Sequence, residues 1–179
     1  GGFNVGSSFG SSATVMREQV GGLNGAKLAT NDSLPCTKTT QLLRQALPEA
    51  SRPLYAQEAI DINGEHTVLR LLPGYQHHLF DPATTARFFH GQYTVTYRSD
   101  RMGMRLEGLV VPCPSQQMLS EGICLGAVQV PADGQPIVLL NDRQTIGGYP
   151  KIGSVIARDV ARLAQLRPGD TLRFEAVDL

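Results

Sequence analysis

Net charge is the first thing missing. Sixteen Lys and Arg balance sixteen Asp and Glu in 179 residues, so no overall field draws the chain to nucleic acid or to an anionic membrane, and recognition through charge must be local. Paired cysteines are missing too. Cys36, Cys113 and Cys124 are odd in number and have no CxxC spacing, which suits free thiols in a reducing compartment and makes the cytoplasm the expected location. Apolar runs such as Ile137 to Leu140 are far shorter than the roughly 20 residues of a membrane helix. The opening "GGFNVGSSFGSS" has neither a basic region nor a continuous apolar stretch, so it is not a secretory signal; without an initiator Met it reads as a cut from something longer. Neither G-x-S-x-G nor G-x-x-x-x-G-K-[ST] occurs, and a triad hydrolase and a P-loop are therefore unsupported.

What is present is strand-rich. Gly1 to Lys38 intersperses glycines with short apolar pieces, a pattern of turns and short strands. "TTQLLRQALPEASRP" sets Leu42, Leu43, Ala46 and Leu47 at near-helical spacing until Pro48, predicting a short helix or a looped excursion. "HTVLRLLP" predicts a strand that stops at Pro73-Gly74. "FDPATTARFFHG" predicts a helix with Asp81 as N-cap, Pro82 at the first position and Gly91 beyond its end. "QYTVTYRS" and "MRLEGLVV" predict strands on either side of "SDRMG", the second with a bulge at Gly108. "GICLGAVQVPADGQPIVLL" reads as a hairpin turning at Asp133-Gly134. "ARDVARLAQL" sets Val160, Leu163, Ala164 and Leu166 near one helical face, with Asp159 near its start and Pro168-Gly169 closing it. "TLRFEAVDL" ends the chain in a strand with Leu172, Phe174 and Ala176 on one face. Without βαβ alternation, this is a mainly β protein with short helices, of α+β kind, and a barrel or sandwich over a single domain, 1–179.

Two segments echo each other: "SDRMGMRLEG" and "NDRQTIGGYPKIG". In each, Asp-Arg follows a strand, so the carboxylate of Asp100 or Asp142 can cap backbone amides while Arg101 or Arg143 points outward. An outward guanidinium presents a planar fork matched to carboxylate or phosphate; the alternative is a structural turn with a solvated arginine. Gly147 and Gly148 allow close approach to the backbone and could form an anion nest. Tyr149 adds a flat face with a hydroxyl and Lys151 a mobile ammonium, or else the aromatic covers a glycine bulge and Lys151 lies in water. His77, His78 and Asp81 are metal-ligand types, but neighbouring strand residues face opposite ways, and no metal is expected there. Cys124 fits buried packing as well as it fits a nucleophile.

The words "SDRMGMRLEG", "SEGICLGAVQVPADGQPIVLLNDRQTIGGYPKIGSVIARDVARLAQLRPGD" and "GGFNV...GSSAT" closely resemble the allophanate hydrolase subunit 2, or biotin-dependent carboxyltransferase domain, family. Nearly the whole chain is covered, most strongly from Ser99 to Asp170. The resemblance implies a cyclophilin-like β-barrel, and a chain lacking the N-terminal, strand-rich region of family members, where a T-x-Q-D-x-G-R-x-G motif stands. Family members include the C subunit of the ATP-dependent 5-oxoprolinase, the carboxyltransferase part of urea carboxylase, and a relative that antagonises a histidine-kinase inhibitor.

Three activities are therefore implied. The first is an amide-opening subunit that converts 5-oxoproline to glutamate with ATP and Mg, beside a subunit 1 homologue (the B subunit) and a third partner (the A subunit). The second is a carboxyltransferase using biotin carried by another protein, since no M-K-M lysine hairpin is present. The third is a regulator without turnover that pairs with a kinase-inhibitor homologue. Arg101, Arg105, Gln129, Gln135, Asp142, Gln144, Thr145, Gly147, Gly148, Tyr149 and Lys151 match the family pattern. Asp142, Arg143, Tyr149 and Lys151 are the expected catalytic set, with Asp142 binding Mg or positioning a base; Asp100, Arg101, Arg105, Gln129, Gln135, Gln144, Thr145, Gly147 and Gly148 are the expected substrate contacts. Departures from the pattern are Ile146 for the second Thr of Q-T-T-G-G-Y-P-K-I, Met104 for Tyr in R-M-G-Y-R-L, and Tyr75 for the second Pro of L-P-G-P-Q.

Overall fold

The computed structural model describes residues 2–38, 67–112 and 118–178; the helix predicted around Leu42 to Leu47, and Cys113, lie outside them. Two compact units are present, Gly1–Gln57 and Glu58–Leu179. In the first, strand β1 (Gly2–Phe3) pairs antiparallel with β2 (Cys36–Thr37). Between them run turns and isolated bridges at Gly6↔Gly22, Ser8↔Ser11 and Val15↔Val20. Gly25 sits at φ +65, and a Cβ there would lie 2.1 Å from the Gln19 carbonyl oxygen, so only glycine suits the turn.

The second unit contains β3 (Thr67–Pro73), a 3-10 turn (Tyr75–Leu79), α1 (Pro82–His90), β4 (Gln92–Val95), β5 (Gly103–Gly108) and β6 (Glu121–Gly122). It continues through β7 (Ala127–Gln129), β8 (Ile137–Leu139), β9 (Ile146–Gly147), β10 (Lys151–Val155), α2 (Ala157–Leu163) and β11 (Thr171–Ala176). Seven strands close a barrel in the order β10-β3-β11-β4-β5-β8-β7, while β6 and β9 pair as a separate ribbon. Within the barrel β3 and β11 are parallel and the other pairs antiparallel. The expectation of a mainly β barrel with short helices therefore holds.

Alternation explains the wall. Leu69 and Leu71 of β3, Tyr93 and Val95 of β4, Val128 of β7, Val138 of β8, and Leu172 and Phe174 of β11 are buried in one main core. Phe88 of α1 joins it, stacked on Phe174 with 4.6 Å between ring centres. On the other face of β7 and β8, Ala127, Ile137 and Leu139 form a second apolar cluster with Ile123. The helix start is as expected: Asp81 accepts from the Thr84 amide at 2.9 Å, and Pro82 opens the first turn.

Four details differ from expectation. The β4–β5 ladder is regular through Tyr93↔Gly108, with no bulge; Gly108 is required because a Cβ would lie 2.4 Å from the Gln92 carbonyl oxygen. The irregularity falls between Lys151 and Gly153, where Lys151 pairs with Gln129 and Gly153 with Val128. The bulge there turns Ile152 into the main core. Helix α2 ends at Leu163, leaving Ala164 exposed, and β11 buries Leu172 and Phe174 but not Ala176.

Candidate ligand site on the outer wall of the barrel

Gln129 and Lys151 are opposed partners on β7 and β10, so their side chains share a face as neighbours. That face is the one carrying the second apolar cluster, away from Val128 and Ile152. Both residues are covered, Gln129 being 1% and Lys151 8% exposed. The β6–β9 ribbon supplies part of the cover. A Cβ on Gly147 would lie 2.6 Å from Ile123 Cδ1 and 2.9 Å from Gln129 Nε2, so the missing side chain admits the Gln129 amide. Among the described residues Gln129 Nε2 has no hydrogen-bond partner. A buried amide donor left in this condition costs about 1–3 kcal/mol, and such a group calls for a reason to be kept.

Lys151 is held at both ends. Its backbone N–H donates to Gln76 Oε1 at 2.8 Å, and its Nζ donates to Glu121 Oε2 at 3.2 Å. Gln76 Nε2 donates to the same Glu121 oxygen at 2.6 Å, as does the Tyr75 hydroxyl. The Tyr75 hydroxyl and then the Lys151 ammonium hold the Glu121 carboxyl below its ordinary range, and the bond to Glu121 raises the Tyr75 phenol. Three donors, Tyr75, Gln76 and Lys151, thus meet one carboxylate, and Gln129 stands beside the last of them.

The two Asp-Arg bends do converge. The Asp142 amide donates to the Arg101 carbonyl at 3.0 Å and the Leu140 amide to the Met102 carbonyl at 2.9 Å. Asp100 caps the amides of Met102 and Gly103 at 2.8 and 3.1 Å, as expected. The arginines, however, do not reach outward for an anion. Arg101 grips Asp142 through Nε at 2.6 Å and Nη2 at 3.1 Å, which lowers the Asp142 carboxyl and raises the guanidinium. Arg143 donates to the backbone carbonyls of Ile123 and Leu140 at 3.3 and 3.2 Å. Both Asp142 oxygens are thus engaged by Arg101. Because the Arg101–Asp142 pair is exposed, Arg101→Ala is expected to shift stability by no more than about 1 kcal/mol. A urea midpoint displaced by several times that amount would show the bends to be welded by this pair.

Gly147 and Gly148 are absent from the positive-φ glycines, so they form no alternating nest; Gly147 serves by close approach instead. Gly148 lies against the Met118 carbonyl, and Tyr149 is half exposed. Arg105, Gln144 and Thr145 are exposed, and the Thr145 carbonyl accepts from the Ile123 amide at 3.0 Å. Gln135 is turned to Gly108, whose amide donates to its Oε1 at 2.9 Å. Sequence reasoning missed Gln76, although it keeps the Q of the L-P-G-P-Q pattern beside Tyr75, and Glu121, which lies 46 positions from Tyr75. His77 and His78 lie on a 3-10 turn rather than a strand, and among the described residues no three metal-type side chains gather. Cys124 is exposed, its Sγ 3.4 Å from Ser154 Oγ. No helix among the described residues is long and apolar enough to cross a membrane.

Residues 1–176 match the family described as carboxyltransferase domain, subdomain A and B. The chain is 38% identical over 180 residues to the 5-oxoprolinase C subunit of Haemophilus influenzae, covering 100% of this chain and 54% of that protein. It is 35% identical over 180 residues to the 5-oxoprolinase C subunit of Escherichia coli, covering 97% and 53%. The chain therefore spans about half the length of these relatives. In fold it is similar to the K. lactis urea amidolyase crystal structure, with TM-score 0.77 at 23% identity, over 99% of this chain and 12% of that one. A match along nearly its whole length, together with the identity to both bacterial proteins, settles that the chain belongs to the carboxyltransferase domain, subdomain A and B, family.

Proposed function

We propose that this chain is part of a 5-oxoprolinase subunit that, with a subunit 1 homologue and a third partner, opens the ring of 5-oxoproline to give glutamate in the cytoplasm. The observation that carries the reading is the buried, unpartnered Gln129 Nε2 beside the Lys151 ammonium. When water adds to a lactam carbonyl, negative charge gathers on its oxygen, and a fixed donor in a covered site stabilises that charge more than it stabilises the substrate. The C–N bond then breaks and the nitrogen takes a proton, giving the amino group of glutamate. Gln129 supplies such a donor, Lys151 a neighbouring positive charge, and Gly147 leaves room beside the Gln129 amide. Hydrolysis of ATP offsets the resistance of the lactam. With Asp142 and both arginines engaged internally, we assign ATP and Mg to the two partners.

The same donors suit the ureido carbonyl of biotin carried by another protein, the chemistry suggested by the family's carboxyltransferase name. One experiment covers both. The complete protein, its partners, ATP and Mg are assayed for glutamate from 5-oxoproline and, in parallel, for carboxyl transfer from carboxybiotin. Glutamate release that falls about a hundredfold in Lys151→Ala, with the complex still assembled, is the expected result. Carboxyl transfer without glutamate would replace the reading with the second, and assembly with neither activity would replace it with a regulatory role.

A further inference from the structure

Glu121 places a carboxylate where three donors already converge. Gln76 is 2% exposed, and its Oε1 is fixed by the Lys151 amide at 2.8 Å. The 3-10 turn that carries Tyr75 and Gln76 is anchored by the Gly74 amide donating to the Ile152 carbonyl at 3.1 Å. Turn and β10 thus hold Gln76 against Lys151 without help from Glu121, and the turn places Tyr75 next to Gln76, whose Nε2 donates to the Tyr75 hydroxyl at 3.2 Å. Glu121 itself comes from the two-residue strand β6, and its side chain is 37% exposed against 11% for Lys151. It can swing into water, whereas Gln76 and Lys151 are buried; Tyr75, 69% exposed, meets it from the solvent side. Beside them stands the independent sign of a ligand, the Gln129 Nε2 donor with no partner among the described residues.

We propose that Tyr75, Gln76 and Lys151 form a binding subsite for the carboxylate of a small monocarboxylic acid, and that Glu121 is its internal occupant, displaced when the ligand arrives. Gln129 then lies on the side where a second acceptor of the same molecule, such as an amide carbonyl, would reach. The inference rests on the placement of the ligand at this cluster but not on ATP-driven turnover, and it adds what that placement leaves open, the group that anchors the molecule. Tyr75 stands where the family pattern has Pro, so the phenol donor is a contribution of this chain.

An occupant that fills the subsite nine-tenths of the time weakens apparent binding about tenfold. Acetate and 5-oxoproline are titrated into the complete protein without ATP or partners, with the Lys151 side-chain NMR signal as readout. Glu121→Ala is expected to bind both probes about tenfold more tightly than the unsubstituted protein. Adding Lys151→Met is expected to abolish the gain. Glu121→Gln, which keeps the side-chain volume, serves in the same titration should the alanine variant fold poorly. A folded Glu121 variant with no gain, or a gain that survives Lys151→Met, overturns the proposal. Binding of this kind with no glutamate formed in the reconstituted assay would leave the subsite standing and remove the 5-oxoprolinase reading.

Discussion

Asp159→Ala is expected to destabilise the protein by about 3 kcal/mol, the cost of breaking a buried, hydrogen-bonded ion pair from one side. The Asp159 side chain has no exposed surface and accepts three hydrogen bonds from Arg70: backbone N at 2.8 Å, Nε at 2.9 Å and Nη2 at 2.9 Å. It thereby pins α2 to β3. Arg162 reinforces the joint, donating to the Val68 carbonyl at 3.1 Å and lying 3.7 Å from Asp159. Removing the carboxylate leaves the Arg70 amide without its acceptor. The Arg70 side chain, 40% exposed, can rehydrate, which keeps the loss toward the lower end of the range for a broken buried pair. Asp159→Asn retains one acceptor oxygen and is expected to lose about half as much. Urea denaturation measures both. A midpoint unchanged in Asp159→Ala would mean that α2 is held by Val160 and Leu163 alone.

The same joint sets a pH dependence. Burial pushes the Asp159 carboxyl up, but the bonds from Arg70 and the charges of Arg70 and Arg162 outweigh it and leave it below the ordinary value. A carboxyl lowered on folding stabilises the protein fully above its unfolded-state pKa, about 3.9. That contribution is lost as pH falls through the folded-state value, so acid unfolding of Asp159→Asn should lack this component.

Asp159 also marks where local signals end. Asp81-Pro82 and Asp133-Gly134 act over a few positions, so the start of α1 and the β7–β8 turn were legible in the sequence, as was the strand periodicity of Leu69, Leu71, Tyr93 and Val95. A helix-start acid was equally legible at Asp159, but its partner on β3 lies 89 positions away. Strands β6 and β9 have two residues each, too few to show a period, so the ribbon that covers Gln129 left no pattern. The bulge beside Lys151 exists only through pairing with β7. Without it a lysine in a strand reads as a solvated end, whereas here it is buried. The Asp-Arg words identified segments that meet in space; between an outward fork and a structural turn they could not choose, because the partners of the arginines, Asp142 and the carbonyls of Ile123 and Leu140, are set by the fold.

Gln129→Leu is the substitution in which stability and activity are expected to move in opposite directions. Leu is close to Gln in volume and would face Ile123 across Gly147, beside Ala127 and Ile137. It removes a buried donor that has no partner, so the folded protein should gain about 1 kcal/mol or at least lose nothing. An ordinary core residue behaves otherwise, since changing one usually destabilises. Loss of a donor aimed at a developing oxyanion, in contrast, costs about a hundredfold to a thousandfold in turnover. The complete protein with Gln129→Leu, assembled with its partners, should therefore show an equal or higher urea midpoint together with glutamate release reduced by that factor. A lowered midpoint with a matching fall in activity would make Gln129 a packing residue. Full activity would show that the donor never meets the substrate, and the site would have to be sought away from this wall of the barrel.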